Sequence, residues 1–376
     1  MNEIGKSHIR LAVRLISSGL FISSALTLIF VANLTTFSQR TLPEEEHLYI
    51  DWERPGMKLF LRHMAPVKPV GSKKGRVVLI THGTGVPSSG NAAFAVGGRS
   101  WMSDFAENGF DVWALDFAGF GKSSRYPEMD APANANPPLG RAEECSRQIG
   151  LAIRYIMKRQ RVKKVSLIGD SGGTLVAGLY ATREPEFIDR LVLYGPVGRK
   201  GNSYSWNTTD AYILVTPEPL VEQFAGPVPA DEKPVFDKKY FTEVWSPLFL
   251  DNDPTSRERN PPSVKIPSGR IADAAEINAG KFPYDPSKIQ APTLVIIGEW
   301  DTVTPDEGAR ELFDSLKSAR LKRYVIIGRA THTVQFEESR FQLYDEVRTF
   351  LAGGDSPHGQ GTVKATKKEK SGKSDL

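Results

Sequence analysis

Between residues 164 and 181 the chain passes from the short apolar run Lys164-Val-Ser-Leu-Ile, through Gly169-Asp170-Ser171-Gly172-Gly173, into the small and apolar stretch TLVAGLYA. A run this short and apolar reads as a strand buried on both faces of a parallel sheet. A strand that turns straight into a helix forces its connecting residues round a sharp bend. Only residues without bulk fit beside the one at the apex, and glycines flank Ser171 at 169, 172 and 173. The pentapeptide alone carries little weight, since a chain of this length contains Gly-x-Ser-x-Gly by chance about once in eight. Its place between strand and helix makes Ser171 a candidate nucleophile. A plain glycine-rich turn is the competing reading that the rest of the chain has to overcome.

Five further runs have the same character. Val77-Val-Leu-Ile ends in Thr81-His-Gly-Thr-Gly, and Asp111-Val-Trp-Ala-Leu ends in Asp116-Phe-Ala-Gly-Phe-Gly-Lys-Ser; a helical stretch with Trp101, Phe105 and Ala106 lies between them. Leu191-Val-Leu-Tyr-Gly-Pro, Thr293-Leu-Val-Ile-Ile-Gly and Tyr324-Val-Ile-Ile-Gly follow. Upstream, EHLYIDW and MKLFLRHMA alternate around Arg54-Pro-Gly, which predicts an antiparallel hairpin of two edge strands. Strand and helix alternate, so the fold class is α/β, with a mostly parallel central sheet and helices on both faces. About 90 residues rich in proline and aromatics separate the fourth and fifth runs, far more than an ordinary connection. They predict an inserted, mainly helical lid over 197–288. Its Trp206, Tyr212, Phe224, Tyr240, Phe241, Trp245 and Phe249 either form the lid's own core or line an apolar pocket. The core then comprises 46–196 and 289–352.

The two ends read differently. No charge occurs from Leu15 to Gln39, and Lys6, Arg10 and Arg14 precede that stretch. Residues 1–40 are therefore expected to be a signal or membrane anchor, with the remainder outside the cytoplasm, either membrane-held or secreted. The sequons at Asn33 and Asn207 matter only in a eukaryotic secretory pathway. Residues 353–376, rich in Gly, Ser and Lys, predict a solvated basic tail. The first 14 residues carry a net +2 and the last 14 a net +3, which leaves the body at −1 from an overall +4. The basic character thus belongs to the ends and implies no nucleic-acid partner. The single cysteine, Cys145, excludes an intrachain disulfide and reads as a small buried apolar side chain; no metal-ligand spacing is visible.

A serine hydroxyl needs a base within hydrogen-bond reach. Of six histidines, His8 precedes the apolar segment, His47 and His63 lie in the hairpin, and His358 is in the tail. His82, beside the first glycine loop, suits a structural role better than base work. His332, just after the last run, remains. The base needs an acid to fix its tautomer, and Asp301 lies three residues past the fifth run, with Glu299 and Asp306 as nearby substitutes. Ser171, Asp301 and His332 stand in the chain order expected for this kind of turn. The backbone N–H groups of Thr84 and Gly172 are the candidate oxyanion donors. His82, Gly83, Gly85 and Asp170 are candidate substrate contacts. The loop from Val86 to Arg99, with Ser88, Ser89 and Asn91, is a candidate contributor to specificity, whereas Asp116 and Ser123 are expected to tie a turn together.

From Glu46 to Ala352 these motifs, in this order, resemble the α/β-hydrolase family. His-Gly-Thr-Gly at 82–85 is similar to its oxyanion loop, Asp116-x-x-Gly-x-Gly-x-Ser to the turn after its fourth strand, and the 169–173 bend to its nucleophile elbow. Gly298-Glu-Trp-Asp301 resembles its acid turn, and Gly328-Arg-Ala-Thr-His332 the loop of its histidine. The resemblance implies hydrolysis of a small-molecule carboxylic ester through an acyl-serine, with no cofactor. Lactones, thioesters, amides and carbon–carbon bonds are the alternative targets of the same triad. Dehalogenases and epoxide hydrolases of the family place an aspartate where Ser171 stands, and its proline peptidases carry His-Gly-Gly-Pro-Gly, from which 82–85 departs. A non-catalytic ligand-binding protein of this fold, or a membrane-associated structural protein, are readings of another class. Oligomeric state is left open.

Overall fold

The computed structural model describes residues 44–67, 76–200 and 209–353. The apolar amino-terminal segment, Trp206, Asn207 and the basic tail lie outside the described residues. Among those described, no helix is long and apolar enough to cross a membrane.

Eight strands form one sheet in the order β1-β2-β4-β3-β5-β6-β9-β10. They are β1 (Glu45–Asp51), β2 (Lys58–Met64), β3 (Arg76–Thr81), β4 (Phe110–Asp116), β5 (Val165–Asp170), β6 (Ile188–Tyr194), β9 (Thr293–Gly298) and β10 (Lys322–Ile327); β7 (Tyr212–Val215) and β8 (Val264–Pro267) pair separately and antiparallel. From β4 to β10 every pairing is parallel. Every residue of β4, β5 and β9 is buried, which is why these strands read as unbroken apolar runs rather than alternating ones. Successive side chains still divide between two layers. Val78, Ile80, Val112 and Ile168 pack with Trp101 and Phe105 of α1 (Trp101–Glu107) and with Leu343, Val347 and Phe350 of α9 (Arg340–Leu351). Leu79, Trp113, Leu167 and Leu193 pack on the other face with Ile149 and Ile153 of α2 (Ala142–Gln160), Val176 of α3 (Gly173–Arg183) and Leu312 of α8 (Asp306–Ser315).

The hairpin departs from expectation in one respect. Only β1 is an edge strand; β2 lies between β1 and β4 and is antiparallel to both. The alternation of apolar and polar residues predicts two edge strands, but the polar Arg62 and His63 of β2 are both buried against partners. The Arg62 guanidinium meets the carboxylate of Glu45, and His63 sits between Glu46 at 3.0 Å and Asp111 at 3.2 Å while stacking on Trp113. Polar groups survive burial where partners satisfy them.

Between β6 and β9 lies the long insertion. Its described part is not helix alone. The β7–β8 ribbon accompanies α4 (Pro217–Ala225), α5 (Lys238–Tyr240), α6 (Ser246–Leu250) and α7 (Gly269–Asn278). Phe224, Phe236, Phe241, Trp245 and Phe249 pack ring against ring and reach Phe94 and Phe336 of the core. The Trp245 indole also donates to the Gly90 carbonyl at 2.8 Å.

Cys145 faces inward from α2 at 0% exposure, and burial pushes its thiol up to about 12. The native protein is therefore expected to resist iodoacetamide at neutral pH, with stoichiometric alkylation only after unfolding in urea; mass spectrometry of the intact chain reads the difference.

Candidate active site

The parallel strands all deliver their carboxyl ends to one edge of the sheet. Thr81 stands in register with Gly169, Asp170 with Tyr194, and Gly298 with Ile327. At that edge β5 ends and Ser171 takes φ +50°, a left-handed conformation rare outside glycine. Three hydrogen bonds hold the strained residue's backbone: its N–H donates to Tyr194 O at 2.8 Å, and its carbonyl accepts from Thr174 N at 2.9 Å and from Thr174 Oγ1 at 2.5 Å. Gly172 is glycine for a different reason. Its φ is −56°, open to any residue, but a Cβ there would overlap Thr84 Oγ1.

His332 Nε2 lies 3.0 Å from Ser171 Oγ, and His332 Nδ1 lies 2.8 Å from Asp301 Oδ2. Asp301 is oriented by donors that sequence reasoning did not single out: Val303 N and Thr304 N at 2.9 and 2.8 Å on Oδ1, and Thr304 Oγ1 at 2.8 Å on Oδ2. Burial works against a protonated His332. The charge and hydrogen bond of Asp301, with the charges of Asp170 and Glu337, outweigh it and hold the ring above its ordinary 6.5. The substitute acids lie elsewhere: Glu299 accepts from Arg329 N at 2.8 Å, and Asp306 binds Tyr324 and Arg310.

On the other side of Ser171, the backbone N–H groups of Thr84 and Gly172 meet no acceptor among the described residues. Gly172 caps α3, so its N–H points outward at the positive end of the helix dipole. Beside these groups opens a cavity of about 430 Å³, lined by Gly83, Thr84, Gly85, Asp170, Ser171 and His332, among others. Leu220 and Phe224 of the insertion also reach it, as do Val303 and Phe336.

His82 does not line this cavity. Its Nδ1 donates to Gly83 O at 2.8 Å, and its Nε2 accepts from Phe117 N at 3.2 Å, so both nitrogens are occupied in a neutral ring. Burial, reinforced by the Arg270 charge, holds its pKa well below the ordinary value. It fastens the loops after β3 and β4 together. Asp116 does the same nearby, accepting from Ser88 N and Lys122 N while Ser123 Oγ bonds its carbonyl. Glu337 had no sequence signal. Fully buried, it accepts from the N–H and hydroxyl of Thr331 and so shapes the loop that carries His332. Among the described residues no cluster of His, Cys, Asp and Glu is arranged to hold a metal.

The arrangement can take a proton from a hydroxyl and stabilise negative charge opposite it. The sequence model of the family described as alpha/beta hydrolase fold matches residues 76–339, and the chain belongs to that family. The 2-hydroxy-6-oxononadienedioate/2-hydroxy-6-oxononatrienedioate hydrolase of Klebsiella pneumoniae is 26% identical over 280 residues, 73% of this chain and 86% of its own length. Its counterpart from Escherichia coli K12 is 24% identical over 70% of this chain and 82% of its own. Among solved structures, a serine hydrolase involved in carbazole degradation matches with a TM-score of 0.52 at 20% identity, over 82% of this chain and 99% of its own. An esterase from Thermogutta terrifontis gives 0.52 at 17% identity, over 83% and 100%. These structural likenesses bear on the fold.

Two outcomes are expected. A base at His332 works only when neutral, so kcat/KM should fall on the acid side through an apparent pKa above 6.5. Asp301→Asn should move that limb downward and lower kcat by about 10³-fold or more, read from pH–rate profiles. Burial pushes the Glu337 carboxyl up to about 7 from 4.5. The folded chain then holds that proton more tightly than the unfolded one. Its stabilising effect is complete below pH 4.5 and is lost as pH rises through about 7, a change of about 3 kcal/mol. Urea unfolding between pH 5 and 8 should show a weaker pH dependence for Glu337→Gln than for the wild type.

Proposed function

We propose that the chain is a serine hydrolase that cleaves a carboxylic ester of a small molecule through an acyl-enzyme. The observation that carries this reading is the unbroken line from Asp301 Oδ2 to His332 Nδ1 at 2.8 Å and from His332 Nε2 to Ser171 Oγ at 3.0 Å, ending in the cavity. Ser171 Oγ attacks the carbonyl carbon as His332 takes its proton. The developing oxyanion receives the N–H groups of Thr84 and Gly172, each such donor contributing about 3 kcal/mol to the barrier reduction. His332 returns the proton to the departing alcohol. Water then repeats the sequence on the acyl-serine, with His332 as base again, and releases the acid. In this reading residues 197–288 act as a lid, with Leu220 and Phe224 enclosing the substrate's apolar part.

The curated relatives favour a second reading, hydrolysis of a carbon–carbon bond next to a carbonyl. The attack is the same, but the leaving group departs through carbon and takes the proton there. Full-length protein assayed on aryl and alkyl esters beside a vinylogous 1,5-diketone separates the two by which substrate turns over. On either reading Ser171→Ala should abolish labelling by a fluorophosphonate and lower turnover by at least about 10⁴-fold. A folded wild-type protein that neither labels nor hydrolyses any of these compounds would refute both.

A further inference from the structure

One wall of the cavity is a carboxylate. Asp170, the residue before the nucleophile, lines the cavity at 5% exposure. It accepts from Asn91 Nδ2 at 2.5 Å. Asn91 Oδ1 accepts in turn from Gln335 Nε2 at 3.3 Å, and the Tyr194 hydroxyl lies 2.6 Å from Gln335 Oε1. Asn91 and Gln335 line the cavity too. The side-chain group that reaches Asp170 is an N–H donor, and an ionised carboxylate accepts without donating, so this contact suits the charged form. Burial nonetheless pushes the carboxyl above its ordinary range, with the His332 charge and the Asn91 amide working the other way.

Across from this wall the lining is apolar, with Val86, Leu220, Phe224, Val303 and Phe336. Among the described residues that line the cavity there is no lysine or arginine. Arg270, the nearby buried cation, stacks over Phe117 and Phe120 and meets the Thr84 carbonyl at 3.3 Å, behind the oxyanion loop and outside the lining. His332 is already matched to Asp301. An anionic substituent held in this cavity therefore faces Asp170 with no countercharge beside it.

We infer that the cavity selects substrates whose enclosed part is uncharged and presents N–H or O–H donors toward Asp170, and that it rejects substrates carrying a carboxylate there. The inference rests on the proposed hydrolysis at Ser171 and names its substrate class. It also sets the chain apart from its curated relatives, whose names specify dioates. Two carboxylates about 7 to 9 Å apart at an effective dielectric near 20 repel strongly enough for roughly 10- to 100-fold discrimination.

The test uses full-length protein and two matched sets of esters. In one set the charge sits on the acyl side: p-nitrophenyl valerate, p-nitrophenyl hydrogen glutarate and its glutaramate analogue. In the other it sits on the leaving group: phenyl and 4-carboxyphenyl butyrate. The carboxylate member should be slower in kcat/KM by roughly 10- to 100-fold in the set whose variable end enters the cavity, with the amide close to the neutral ester. Asp170→Asn should recover most of that gap and shift the acid limb of the pH profile downward, because the Asp170 charge supports protonated His332. If the variant fails to fold, inhibition of the wild type by valeramide against glutarate, and by phenol against 4-hydroxybenzoate, reads the same preference. Carboxylate esters as good as neutral ones in both sets, or a gap that Asp170→Asn leaves unchanged, overturn the inference. Absence of turnover on the neutral esters instead overturns the ester-hydrolase reading on which the inference rests, so the two failures are distinct.

Discussion

The site depends on a bend in the backbone where β5 becomes α3. Ser171 sits at φ +50°, a conformation that costs on the order of 1 kcal/mol for a residue with a side chain. The surrounding chain over-determines it: β6 accepts its N–H through Tyr194 O, and the first turn of the helix returns to its carbonyl through Thr174. The bend lifts the hydroxyl clear of the strand edge and leaves the helix's first N–H groups facing the same space. His332 and Asp301 reach the same space on loops after β10 and β9, whose registers with β6 and with each other bring them to one level; in the proposed reading they serve there as base and acid.

Much of this was legible in the chain because it is local. A buried strand, a run of glycines and a helix follow each other without interruption, and the order of serine, acid and base along the chain carries its own information. Choosing Asp301 over Glu299 and Asp306 also depended on position after a strand, and the three do occupy separate hydrogen-bonding partnerships. What was not legible depends on contacts far apart in sequence. Asn91 reaches Asp170 across 79 residues and Gln335 across 244; no spacing rule connects them. Thr304 and Glu337 look like ordinary loop residues until the fold places them against Asp301 and Thr331. The β7–β8 ribbon was missed because each strand is only four residues long, too short for alternation to show.

The inserted segment matters through what it touches. Phe224 faces both the aromatic cluster and the cavity, so the packing that stabilises the insertion also sets the apolar boundary of the site. Aromatic pairs of this geometry contribute about 1 kcal/mol each beyond their buried area. Several share that cluster with Phe336, four residues past His332. The inserted segment and the loop that carries His332 are therefore held by the same rings.

The contact between Thr84 and Gly172 reaches beyond chemistry into what this sequence is free to become. Thr84 Oγ1 fills the space where a side chain at 172 would begin, so the loop after β3 and the first turn of α3 interlock like a key and its slot. Drift at either position is thereby conditional on the other. A side chain at 172 requires the Thr84 hydroxyl to turn away or be lost, so either change disturbs the N–H groups of both residues. Across descendants of this chain the two sites are expected to vary together.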